Sequence, residues 1–184
     1  MKVKKSNIQF KVKVPLGLKP IVRERVADKI IDYVRQRTSS GRDKDESSFP
    51  SYSKEYKESD DFKIAGKSSM VNLKLSGDMM DTLSLVTHTD GELTIGYTLS
   101  DDIAGRVEGN VIGSYGKPTG NSSKARNFLG IQKSKIDLIV SEVTNALNQE
   151  SITEVSKENE KKINNLLNKF INSIVLNPET KKGE

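Results

Sequence analysis

The chain has 184 residues, 34% hydrophobic, 30% charged and 5% aromatic, with neither Trp nor Cys; that is room for one sizeable core with an appendage. The absence of Cys excludes disulfides, thiolate nucleophiles and thiolate metal sites. Thirty basic residues are interleaved with 25 acidic ones for a net charge of +5, so the charge reads first as a solvated mixed surface and only second as a nucleic-acid face. No run of about 18 apolar residues occurs. Met1-Lys2-Val3-Lys4-Lys5 leads into alternation instead of an apolar stretch, which predicts neither a signal peptide nor a membrane span.

Ile8, Phe10, Val12 and Val14 alternate with polar residues, the period of a half-buried strand, and Pro15 and Gly17 end it. Pro20 then opens a long helix, with Val22, Val26, Ile30 and Val34 every four residues through Arg37 and with Ile21, Ile31 and Tyr33 widening the stripe. Thr38 to Glu46 reads as a loop. Ser53 is placed to cap a polar helix from about Lys54 to Ile64 that offers only Tyr56, Phe62 and Ile64 to a core. Loop and helix together form a polar arm of roughly thirty residues, a length that favours a functional role or partial disorder.

Val71, Leu73 and Leu75 predict a second strand, followed by Ser76-Gly77-Asp78 and the apolar group Met79, Met80 and Leu83. Leu85 to Thr89, the turn Asp90-Gly91, and Leu93, Ile95 and Tyr97 predict a hairpin, since Asp-Gly between alternating residues suits a tight turn. Ser100-Asp101-Asp102 predicts the cap and first turn of a helix through Ile103, Ala104, Val107 and Val111, weakened by Gly105 and Gly109. Ser114 to Asn127 reads as an extended exposed loop. Ser134 and Asp137 resemble a capping box ahead of Ile136, Ile139, Val140, Val143 and Leu147. A separate last helix is expected from about Ser151 to Leu176, ended by Asn177-Pro178, with a charged tail beyond. Its apolar residues either pack on the sheet or meet copies of themselves.

The sum is an α+β fold, with a small, mostly antiparallel sheet packed with a long N-terminal helix and C-terminal helices. Residues 1–149 form the main domain, and residues 150–184 a helical extension with a charged tail.

Candidates for chemistry are few. The single histidine, His88, ends a hairpin strand and reads as a surface polar residue; alone it cannot build a His-rich metal site. The pairs Asp43/Asp45, Asp60/Asp61 and Asp101/Asp102 read as turn and cap residues, and Asp43-Lys44-Asp45-Glu46 lacks the glycine and terminal glutamate of a calcium loop. Gly113-Ser114-Tyr115-Gly116-Lys117-Pro118-Thr119-Gly120 lacks phosphate-loop spacing and follows a helix. Lys63, Lys67, Lys117, Lys124 and Arg126 have no aromatic platform among them for single-stranded nucleic acid. The expectation is a protein without enzymatic activity, metal or cofactor. A hydrolase built on Asp101 or His88 is the weakest reading.

Three segments carry a resemblance: Phe49-Pro50-Ser51-Tyr52-Ser53-Lys54-Glu55-Tyr56, then Val71-Asn72-Leu73-Lys74-Leu75-Ser76-Gly77-Asp78-Met79-Met80, then Ala125-Arg126-Asn127-Phe128-Leu129-Gly130. In order and spacing, from about Val22 to Leu147, the chain resembles the virion-morphogenesis and tail-completion proteins of tailed phages. It departs from them at Met80, at Val107-Glu108-Gly109 and at Arg126, where such proteins often carry Leu, a histidine and a nearby proline. The terminal helix lies outside the likeness.

The resemblance implies a structural neck protein, made in the host cytoplasm and resident in the virion. Copies would close into a homo-oligomeric ring joining the head connector to tail or tail-terminator proteins, with DNA passing through the lumen and no membrane contact. It singles out Phe49, Tyr52, Tyr56, Gly77, Asp78, Met79, Arg126, Phe128 and Leu129 as inter-subunit or motif residues. Gly77 would allow a sharp turn, Phe128 and Leu129 would anchor a loop, and Arg126 would pair with an acid on the same or a neighbouring chain. The alternative is a basic DNA-binding accessory protein, suggested by a pI of about 9.2 and lysine-rich ends.

Overall fold

The computed structural model describes residues 3–66, 70–73, 78–100, 102–115, 117 and 120–175, with the backbone alone for 78 and 170–175. It is an α+β fold. A short 3-10 turn, Lys5–Asn7, precedes strand β1 (Gln9–Lys13) and helix α1 (Pro20–Ser39). Two short helices follow, α2 (Lys54–Glu58) and α3 (Asp60–Ile64), then the single turn α4 (Asp78–Asp81). Strands β2 (Ser84–Thr89) and β3 (Glu92–Gly96) form the hairpin, α5 (Ala104–Ile112) comes next, and α6 (Lys133–Val175) closes the chain. The chain divides into two compact units, Met1–Val143 and Thr144–Glu184. Among the described residues no helix is long and apolar enough to cross a membrane.

The sheet is antiparallel in the order β1-β3-β2. β3 is therefore paired on both sides, opposite Gln9 to Lys13 and opposite the β2 residues around a bulge between Leu85 and Thr87. A central strand is covered on both faces, and Leu93, Thr94, Ile95 and Gly96 are all buried. α1 lies against β2 and β3. Its stripe of Val26, Ala27, Ile30, Ile31 and Val34 is buried as the four-residue spacing requires, and Pro20 sits in the first turn, where its missing N–H costs nothing. Ile8, Val12, Leu93, Ile95, Tyr97, Val107 and Phe128 complete the core.

Five local expectations are corrected. Val71 and Leu73 are buried but form no strand: Leu73 sits at φ 53°, a left-handed conformation that interrupts an extended run. The remainder of that predicted strand, with Gly77 and its expected turn, lies outside the described residues. The expected helix from Lys54 to Ile64 is two helices, because Ser59 has extended backbone and its hydroxyl accepts from Phe62 N, starting a second helix. α5 has Ile103 at its cap position with no side-chain cap bond, so Ser100 does not play that part. Asp137 pairs with Lys133 at 2.9 Å, one turn before it, instead of closing a capping box. Finally, the two predicted C-terminal helices are one. Ser151 does not start a helix; its hydroxyl bonds back to Leu147 O at 3.0 Å, as that of Thr153 does to Gln149 O at 2.9 Å, both inside a continuous helix.

Two buried polar anchors tie the periphery to this frame. Glu108 on α5 accepts from Lys4 N and from Asn7 Nδ2, each at 2.9 Å, and so fixes the approach to β1. The Tyr97 hydroxyl donates to Met79 O at 2.7 Å, which holds α4 against the end of the hairpin.

Where β1 crosses the end of β3 the backbones meet closely. Gly96 has φ 154°, and a Cβ there would lie 2.3 Å from Ile8 O and 2.6 Å from Gln9 Cα. Gly96→Ala is expected to destabilise the fold by about 3 kcal/mol, from overpacking plus backbone strain. Urea unfolding would show this as a lowered midpoint at unchanged slope.

Candidate interaction site

The site is assembled from the end of α1, the arm and residues 126–130. Arg37 continues the α1 stripe one turn beyond Val34 and is only 5% exposed. A buried guanidinium needs acceptors, and it finds two main-chain carbonyls, Phe128 O at 2.5 Å and Gly130 O at 3.0 Å. The Tyr33 ring lies 5.6 Å from the same guanidinium, and the Tyr33 hydroxyl donates to Glu46. Burial lowers the Arg37 pKa, while Tyr33, Glu46 and Asp43 oppose that shift.

Residues 126–130, held in this way, hold the arm in turn. Lys44 N donates to Asn127 O at 2.9 Å. The Arg126 guanidinium faces Pro50 O and Ser51 O through long contacts of 3.4 and 3.5 Å and donates to the Tyr115 hydroxyl at 2.8 Å. It lies 4.9 Å from the Tyr52 ring centroid and 5.5 Å from that of Tyr115. Among the described residues, the partners of Arg126 within its own chain are thus carbonyls, a phenol and aromatic faces.

Beyond Tyr52 the arm is closed by a cluster of three rings, Tyr52, Tyr56 and Phe62, with centroids 5.2 to 5.6 Å apart in tilted and edge-on arrangements. Ser53 caps α2 as the sequence predicts, accepting from Tyr56 N. At the base of the arm Asp43 accepts from Asp45 N and Ser47 N, each at 2.9 Å, which is the turn role expected of that acidic pair.

Of the residues singled out from the sequence, Tyr52, Tyr56 and Arg126 meet here. Phe49 is buried at the arm's base with its N–H on Gly41 O, while Phe128 and Leu129 are buried on the segment that Arg37 grips. Met79 is buried apart from them, against Tyr97. Asp78 starts α4, and Gly77 lies outside the described residues. Arg37 and Tyr115 escaped the sequence reading. An arginine three residues beyond Val34 on a buried stripe was the available signal for the first; nothing local marked the second. His88 faces Glu24 at 3.7 Å, away from the arm's contacts.

Among the described residues no group of three His, Asp or Glu side chains could hold a metal ion. The arrangement presents a polar arm, fixed at its root and exposed at its tip, where Ile64 is 85% accessible. Comparison with known protein families, curated proteins and solved structures finds no match for the chain.

Two outcomes are expected. Replacing Arg126 by Ala removes the ring stack and the carbonyl contacts, a loss of about 2 kcal/mol of local stability. Cleavage between residues 51 and 66 by a dilute protease should then quicken roughly thirty-fold, since the rate tracks the open population. The second concerns alkaline pH. Burial raises the pKa of Tyr33, Tyr52, Tyr56 and Tyr115 above the ordinary 10.0, with Arg126 opposing the rise at the last three. The folded chain therefore holds these protons more tightly than the unfolded chain. Stability is fully present below pH 10 and lost as pH rises beyond it. Urea midpoints should match at pH 8 and 9 and fall at pH 11, and the fall should be smaller in Tyr33→Phe.

Proposed function

We propose that the chain is a non-enzymatic structural subunit of a tailed-phage virion, a ring-forming neck or tail-completion protein joining the head connector to the tail. The observation that carries this reading is the joint itself. Two of the three segments resembling such proteins, the Phe49 to Tyr56 arm and the Ala125 to Gly130 stretch, meet through Arg126 and Tyr52. The arm is thereby held ready as a surface for a neighbouring copy, with little left to order on binding. Its tip, carrying Ile64, is the part that a neighbour would cover. The net charge of +5 suits a lumen through which DNA passes. The same charge supports the second reading, a basic DNA-binding accessory protein.

Light scattering on the purified protein, with negative-stain images, tests the first reading. A closed oligomer of defined mass is expected, free or on the connector. Ile64→Asp should lower that mass while leaving the unfolding free energy from urea titration within about 0.5 kcal/mol, because the site is exposed. A protein that stays monomeric with and without the connector overturns the ring reading, and salt-sensitive DNA affinity in that same monomer would favour the second.

A further inference from the structure

The second half of α6 carries a surface that the described residues leave exposed. Every side chain from 148 to 169 is exposed, yet Ile152, Val155, Ile163, Leu166 and Leu167 stand there 52% to 66% accessible. Scattered apolar residues need no explanation, but these are not scattered. At 100° per residue Ile152, Val155, Asn159, Ile163 and Leu166 fall within an arc of about 80°, one continuous stripe in which, between residues 152 and 166, Asn159 is the only polar member.

Two further patterns say what covers the stripe. The spacing is symmetric about Asn159: Val155 and Ile163 stand four residues to either side of it, Ile152 and Leu166 seven. An antiparallel pair of identical helices with its two-fold axis at Asn159 therefore sets Val155 on Ile163, Ile152 on Leu166, and Asn159 on itself. A lone asparagine in an apolar helix interface fixes register and orientation, because its amide groups find partners only in one alignment.

The charge is divided at the same place. Residues 150–160 hold Glu150, Glu154, Glu158 and Glu160 against Lys157, a net −3, whereas 161–175 hold Lys161, Lys162 and Lys169 and no acid, a net +3. Antiparallel pairing sets the acidic half against the basic half; parallel pairing sets like against like. The helix dipole does not account for this division, since α6 begins at Lys133 and the acids lie far beyond its first turn. The Glu158–Lys162 pair at 2.8 Å joins the two halves within one helix.

We propose that this face of α6 is a self-association site that takes a second copy of the same helix, antiparallel, on a two-fold axis at Asn159. The proposal goes beyond the ring reading and does not rest on it, because a two-fold contact is isologous and closes at two copies.

The chain contains no cysteine, so single cysteines report the geometry cleanly. A disulfide needs Cα atoms within about 7 Å, whereas each Ile152 would lie about 21 Å along the axis from its copy in the antiparallel pair. Under mild oxidation of the full chain, Asn159→Cys is expected to form a covalent dimer. Ile152→Cys and Leu166→Cys should each stay monomeric alone and cross-link when mixed. All three substitutions are at exposed positions, and circular dichroism of each variant checks the fold. Dimers of Ile152→Cys alone would mean parallel pairing and overturn the proposal. So would failure of Asn159→Cys to cross-link, whatever ring the native protein forms.

Discussion

A guanidinium buried at the end of a helix is the constraint on which the irregular half of this molecule depends. Taking Arg37 out of water costs several kcal/mol unless its donors are met, and removing one partner would leave a charge stranded in the core. The partners are the carbonyls of Phe128 and Gly130, main-chain acceptors that an irregular segment has spare. One desolvated fork thereby fixes residues 126–130 without requiring them to join a sheet or helix. The contacts then form a hierarchy. The segment so placed offers Asn127 O to Lys44, and it aims Arg126 at Pro50, Ser51 and Tyr52. The base of the arm meets α1 directly through Tyr33 and Glu46, and its outer part from Pro50 on is reached through 126–130.

The same device is used a third time. Arg35, two residues before Arg37, donates to Met80 O, Asp81 O and Leu83 O, main-chain acceptors in and just beyond the single turn α4. A chain with 5% aromatic residues and no cysteine has little apolar area or covalent bracing for its long connections. Arginine forks on backbone carbonyls brace them instead. The cost is unevenness: the Arg126 contacts to the arm are long and part-buried, whereas those of Arg37 are shorter and buried. The arm is therefore held less firmly than the segment that Arg37 grips.

How far this was legible depends on whether the signal was local. The hairpin was readable because Asp90-Gly91 dictates its own turn, and α1 because Val26, Ile30 and Val34 must share a face. Ser53 was readable as a cap, but Ser59 was not, since a serine inside a polar run has no periodicity to interrupt. The strand expected at Val71 and Leu73 rested on alternation alone. Alternation records burial on one side, which Leu73 achieves at a positive φ without any ladder. At Ser151 a cap residue suggested a boundary that the chain ignores, because no glycine or proline stands between Leu147 and Ile152 to stop the helix. The site was half legible. The resemblance drew attention to Tyr52 and Arg126 but not to the carbonyls, phenol and rings that Arg126 meets within its own chain, and Arg37 is only intelligible once residues 91 and 93 positions further on are brought beside it.

The long helix poses the reverse problem, a regular element with too little to stabilise it. Its first turns are packed through Ile136, Ile139 and Val143, so nucleation is settled there and the helix can propagate. Propagation past residue 148 then rests on side-chain propensity, and Asn159, Asn164, Asn165 and Asn168 are poor helix formers. Selection for an isolated solvated helix would have no reason to keep Ile152, Val155, Ile163 and Leu166 on one face. An interface supplies both the missing stabilisation and the reason for the stripe. It also limits the assembly. The ring contacts proposed above would be heterologous and would use the body and arm, the two-fold contact proposed for α6 would be isologous, and the two surfaces would share no residue. A chain using both would assemble with dihedral symmetry, in an even number of copies, with two rings joined through their helices.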